Sequence, residues 1–158
     1  MRRFLVMCAL VLPLAAWAGR DEAIEAYTTG DFAKALAEFQ ALADQGDSEG
    51  QYFLGLFYHN AFGVKRDQAE ALKWFLKAAQ QGDARSQYYA GIMYAAGQGV
   101  AKDLPMADMW LTLSAANSKS SYRDSLYTRE ELGKIEKKMT PEQIAQAKEL
   151  ARNWKPQN

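Results

Sequence analysis

From Ala23 onward the apolar residues fall three and four positions apart, the spacing of one face of an α-helix. Ala71, Trp74 and Ala78 form one such stripe, Leu132, Ile135 and Met139 another, and Ile144, Ala147 and Ala151 a third. No segment of strand length alternates apolar and polar residues with period two. The pattern predicts an all-α chain, and the helix punctuation agrees. Gly46-Asp47 and Gly82-Asp83 each join a residue able to take the left-handed backbone that ends a helix to one that caps the next. Asp67 with Glu70 reads as a capping box, and Thr128 with Glu131 as a helix start. Thr140-Pro141-Glu142-Gln143 places Thr at the N-cap, Pro at the first helical position and Gln two positions later.

The helices repeat. A shift of 36 residues lays Gly46-Asp47 on Gly82-Asp83, Gln51-Tyr52 on Gln87-Tyr88, and Gly55 on Gly91. The same shift lays Tyr58 on Tyr94, Gly63-Val64 on Gly99-Val100, Asp67 on Asp103 and Trp74 on Trp110. Run backwards, it lays Asp31 to Leu36 on Asp67 to Leu72. Tyr52, Gly55 and Tyr58 share a face, where the glycine lets a neighbouring helix come close. Stacked helix pairs of this kind build a solenoid in which each unit buries the face of the next. Residues 22–45 are then a partial first repeat, 47–82 and 83–117 are full repeats, and 122–153 is a degenerate capping unit. Residues 117–121 read as a loop and 154–158 as a loose tail.

These positions resemble the Sel-one-like repeat (SLR) family, a branch of the tetratricopeptide-repeat superfamily. The first full unit supplies Leu54-Gly55, Tyr58, Gly63-Val64, Asp67, Ala71, Trp74, Ala78-Ala79 and Gly82-Asp83. The second supplies Gly91, Tyr94, Gly97-Gln98-Gly99-Val100, Asp103, Ala107, Trp110 and Ala115. Ala61 stands where the family has the first loop glycine, and Ala90 where it has the leucine. The resemblance implies a right-handed α-solenoid of about four antiparallel helix pairs. It also implies a protein-binding module with a concave groove lined by the first helix of each pair. By position in the tetratricopeptide pattern, Tyr52, Leu56, His59, Tyr88 and Ile92 are expected to face that groove, with Phe53 and Tyr89 beside them. The competing reading of each is packing between helices. Tyr58 and Tyr94 match the family's packing tyrosine.

The first eighteen residues stand outside this pattern. Arg2 and Arg3 precede an apolar run from Phe4 to Trp17 that ends in Ala16-Trp17-Ala18. That is the anatomy of a secretory signal peptide, with cleavage expected after Ala18. The run is short for a membrane span, which needs about 20 apolar residues. The expected product is a single domain, residues 19–158, exported to the periplasm or secreted, monomeric, and without stable membrane insertion.

Cleavage removes Cys8, so neither a disulfide nor a thiol nucleophile remains. His59 is the sole imidazole, which argues against a zinc site, and no metal is expected. No Gly-x-Ser-x-Gly elbow or Gly-Lys-Ser/Thr phosphate loop occurs, and Gly97-Gln98-Gly99 belongs to the repeat turn. Neither catalytic residues nor cofactors are expected. Loss of Arg2 and Arg3 takes the 19 basic residues to 17 against 19 acidic, a balance that argues against nucleic acid as a partner. The expected function is a non-enzymatic scaffold or adaptor for a protein or peptide. The alternative is an immunity or inhibitor protein that neutralises an exported toxin.

Overall fold

The computed structural model describes residues 12–117 and 122–157. Among these the chain forms eight α-helices and no strand. They are α1 (Leu12–Thr29), α2 (Phe32–Asp44), α3 (Ser48–Asn60), α4 (Gln68–Gln80), α5 (Ala84–Ala96), α6 (Leu104–Asn117), α7 (Tyr122–Glu136) and α8 (Pro141–Asn153). Each helix from α1 to α6 packs on the next, giving an all-α helical repeat solenoid. The leader assigned to residues 1–18 lies outside the described residues as far as residue 11. Residues 12–18 begin α1, which runs unbroken past Ala18. The loop expected at 117–121 lies outside the described residues apart from Asn117, which closes α6.

The repeat is visible as recurring hydrogen bonds. Asp31, Asp47, Asp67, Asp83 and Asp103 each cap a helix by accepting from the backbone N–H three residues on. Asp67 and Glu70 do not form a capping box: the Asp67 N–H donates instead to the Tyr58 carbonyl at 3.1 Å, as Asp103 N–H does to Tyr94 at 3.0 Å. Glu70 pairs with Lys73. The backbone donor that a box would satisfy is thus spent tying the second helix of a pair to the end of the first. The buried amides of Gln51 and Gln87 accept a second recurring tie. Gln81 Nε2 donates to Gln51 Oε1 at 2.9 Å, and 36 residues on Asn117 Nδ2 donates to Gln87 Oε1 at 3.2 Å.

Two glycines explain how closely the helices approach. A Cβ on Gly55 would lie 2.5 Å from the Phe75 ring of α4, and one on Gly91 would lie 2.7 Å from Leu111 of α6. The core is otherwise Phe39, Leu54, Phe57, Trp74, Phe75, Met93, Trp110 and Leu111, all buried.

The C-terminal unit departs from the expected pattern. Thr128 does not start a helix; it is buried within α7, which begins at Tyr122. Both α7 and α8 pack against α6 rather than pairing with each other. The chain end is also tied down: Trp154 meets Trp110 edge-on at 6.3 Å, and the Gln157 N–H donates to the Gln80 carbonyl at 2.8 Å. A tail whose backbone bonds the last carbonyl of α4 is not loose.

Candidate functional site

The first helices of the two complete pairs, α3 and α5, carry most of the expected site. Their cross-contacts are offset from the sequence register. The ring of Tyr52 lies 6.1 Å from Tyr89, not from its repeat mate Tyr88. Tyr89 in turn lies 5.8 Å from Tyr88 and 5.8 Å from His59. Tyr89 is therefore the hub of a continuous aromatic face, and beneath it Phe75 of α4 stacks at 4.7 Å. Phe53 extends the face toward α1, stacked on Phe39 at 4.1 Å and edge-on to Tyr27 at 5.2 Å. Rings at these separations have favourable offset or edge-to-face geometry.

Three of the seven expected residues take other roles. Leu56 is a core residue, buried at 7% exposure with Ala71, Leu72 and Met93 around it, so it does not face a groove. Ile92 and Tyr88 are half-buried in a cluster with Ala107, Leu111 and Ile135 of α7. The final repeat unit supplies the helix that covers them. His59 is half-buried with its ring settled: Nδ1 lies 2.9 Å from Gln68 Oε1, and Gln68 Nε2 donates back to the His59 carbonyl at 3.3 Å.

A charged rim at the N-terminal ends of α3 and α5 was missed in the sequence. Arg85 sits over the Tyr52 ring at 4.1 Å while paired with Asp83 at 3.0 Å and Glu49 at 3.7 Å. Arg20 of α1 bonds Asp47 and Glu49. The signal was available: Arg85 lies one helical turn before Tyr88-Tyr89. Burial, and then the neighbouring Tyr89, push the Tyr52 phenol well above its ordinary range, with Arg85 acting in the opposite direction. Burial also raises Tyr88 and Tyr89. These phenols are neutral donors, and the hydroxyls of Tyr52 and Tyr89 make no hydrogen bond among the described residues. The arrangement can present flat rings and free O–H donors to a partner. Among the described residues, no three His, Cys, Asp or Glu side chains converge as a metal site needs. Nor is any described helix long and apolar enough to cross a membrane.

Residues 48–83 and 84–119 match the family model of the Sel1 repeat. The chain is a Sel1-like repeat protein. The crystal structure of a protective antigen present in uropathogenic Escherichia coli strains, displaying an SLR fold, is similar with a TM-score of 0.80 and 29% identity. That similarity covers 88% of this chain and 29% of the antigen. A Sel1 repeat protein from Oxalobacter formigenes shares the fold, with a TM-score of 0.65 and 23% identity over 89% of this chain and 56% of the other. The chain thus spans under a third of the first relative and little over half of the second. No curated protein matches it. Sel1 repeats are generally protein-interaction modules, and this chain carries two of them in tandem.

Proposed function

We propose that the chain is an exported adaptor that holds a peptide segment or protein partner against the α3/α5 aromatic face. The observation that carries the reading is the contact of the Tyr52 and Tyr89 rings over Phe75. Half-buried rings stand in contact with one another, over a rigid floor, with hydroxyls free to donate. Rigid aromatics of this kind are common anchors, because they bring large contact area at little conformational cost. The rim cations are consumed by Asp47, Glu49 and Asp83, so recognition rests on stacking and hydrogen bonds rather than on a strong charge. Export rests on the Arg2-Arg3, apolar run and Ala16-Trp17-Ala18 sequence, and the periplasm is the compartment we assign.

The test is affinity capture from envelope extract with the C-terminally tagged chain, beside Tyr52→Ala and Tyr52→Phe. The adaptor reading expects a partner held by the wild type and lost by the alanine variant while helical circular dichroism is unchanged. The phenylalanine variant should retain part of the binding. Equal capture by wild type and Tyr52→Ala would sink the assignment of the face.

A further inference from the structure

Asp108 breaks the repeat. The 36-residue shift lays it on Leu72, and Leu72 on Leu36, so a carboxylate stands in a leucine position of α6. The residue is 1% exposed. Thr112 Oγ1 donates to its Oδ1 at 3.3 Å, while Oδ2 is shut away from solvent with no hydrogen bond at all.

The helices packed on α6 give it no counter-ion. The one charged residue of α5, Arg85, is held by Asp83 and Glu49. Glu136 of α7 adds charge of the same sign, and Lys148 of α8 acts on Asp108 in the opposite sense without an ion pair. Burying an unpaired carboxylate is costly, and such groups hold a proton instead. Burial first, and Glu136 second, push the Asp108 carboxyl above the ordinary carboxylate range, against smaller effects of Thr112 and Lys148.

The location gives the proton a consequence. α7 and α8 each dock on α6, scarcely touching one another; Thr112, which donates to Asp108, lines a cavity with Ala145 and Lys148 of α8, and the charge of Glu136 on α7 reaches Asp108. Ile135 of α7 also closes the cluster that contains Tyr88 and Ile92.

We propose that Asp108 is a proton-controlled latch: protonated, it lets α7 and α8 seat on α6; ionised, it loosens them and uncovers Tyr88 and Ile92. That the uncovered residues enlarge a binding face rests on the function proposed above; the latch does not. The sign is fixed by linkage. The seated state binds the proton more tightly than the loosened one, so seating is complete below the ordinary carboxylate value of about 3.9. It is lost as pH rises toward the raised folded value, by at most about tenfold in the opening constant per pH unit, and is flat above that value.

The test is amide hydrogen exchange of the full chain across that window, corrected for intrinsic rates, on wild type, Asp108→Asn and Asp108→Leu. The latch predicts that opening of α7 and α8 rises with pH in the wild type and loses that rise in both substitutions. A wild-type rise that persists in Asp108→Asn, or no wild-type rise, overturns it. Carbon-13 titration of the Asp108 carboxyl in the unmutated chain keeps the idea testable if a variant fails to fold. A midpoint above the ordinary range supports the latch, and a midpoint within or below it, the signature of a Lys148 ion pair, refutes it.

Discussion

Replacing Gly55 by alanine adds one methyl where α3 crosses α4. That methyl would lie 2.5 Å from Cδ1 and Cε1 of Phe75 and 2.8 Å from its Cζ, closer than carbon atoms pack. The ring has nowhere to go: Phe75 is 0% exposed and is stacked on Tyr89 at 4.7 Å, so retreat from α3 disturbs α5. Overpacking of a filled core costs about 1–3 kcal/mol. Alanine offsets part of this, being better than glycine inside a helix by about 1 kcal/mol. A contact this short belongs at the upper end, leaving a net loss of about 1–2 kcal/mol. For a chain of this size that lowers Tm by roughly 2–8 °C. Urea unfolding followed by far-UV circular dichroism measures it, with Gly133→Ala as the matched control. Gly133 sits in α7 with nothing within 4 Å of an added Cβ. There the methyl brings only helix propensity, so stability should rise by about 0.5–1 kcal/mol. Opposite signs at the two sites support the packing argument. A Gly55→Ala chain as stable as the wild type, or more so, refutes it.

Ala61 occupies the left-handed region at φ 62°, where its repeat mate Gly97 stands at φ 70°. Ala61→Gly relieves a strain of about 1–2 kcal/mol, less the extra entropy glycine loses on folding, so its urea midpoint should shift upward; a downward shift contradicts the reading. Thr140 accepts from Gln143 N–H at 3.3 Å and Gln143 Oε1 accepts from Thr140 N–H at 3.0 Å. Thr140→Ala should cost about 1 kcal/mol and speed amide exchange in α8, whereas Thr140→Ser should cost little. The phenols of Tyr52, Tyr88, Tyr89 and Tyr94 are each raised above 10.0, chiefly by burial. Stability from them is complete below the ordinary phenol value of about 10 and is lost as pH climbs through the raised folded values. The urea midpoint should therefore fall with pH in that alkaline range, and fall less steeply in Tyr52→Phe. Equal slopes contradict the burial of Tyr52.

Local rules made the framework legible from sequence. The glycine–aspartate pairs fixed helix ends because their physics is local: a left-handed residue followed by a side-chain cap. Gly55 and Gly91 marked close approach correctly, since their neighbours Phe75 and Leu111 sit in the helix directly following. Positions whose environment depends on a neighbouring unit were harder to read. Leu56 and Ile92 were expected on the groove face, yet packing against neighbouring helices claims both. Tyr52 meets Tyr89 rather than its repeat mate Tyr88, a cross-helix register that no period in the sequence encodes. α8 starts at its expected Thr140 cap whereas α7 starts before Thr128, and which helix the two dock on is a tertiary choice. The Arg20–Glu49–Arg85 rim links three helices and becomes visible only once they are assembled.

The central claim is that one face of this Sel1-like scaffold holds a partner. Site-specific photocrosslinking in the living cell tests it most directly, with a photoreactive phenylalanine in place of Tyr52 and, as control, of Lys34, which is exposed on α2. The account predicts one dominant crosslinked protein from position 52, absent from position 34, and lost on adding Tyr89→Phe and His59→Ala to a chain that remains folded. No crosslink at 52, or the same products from both positions, would contradict it.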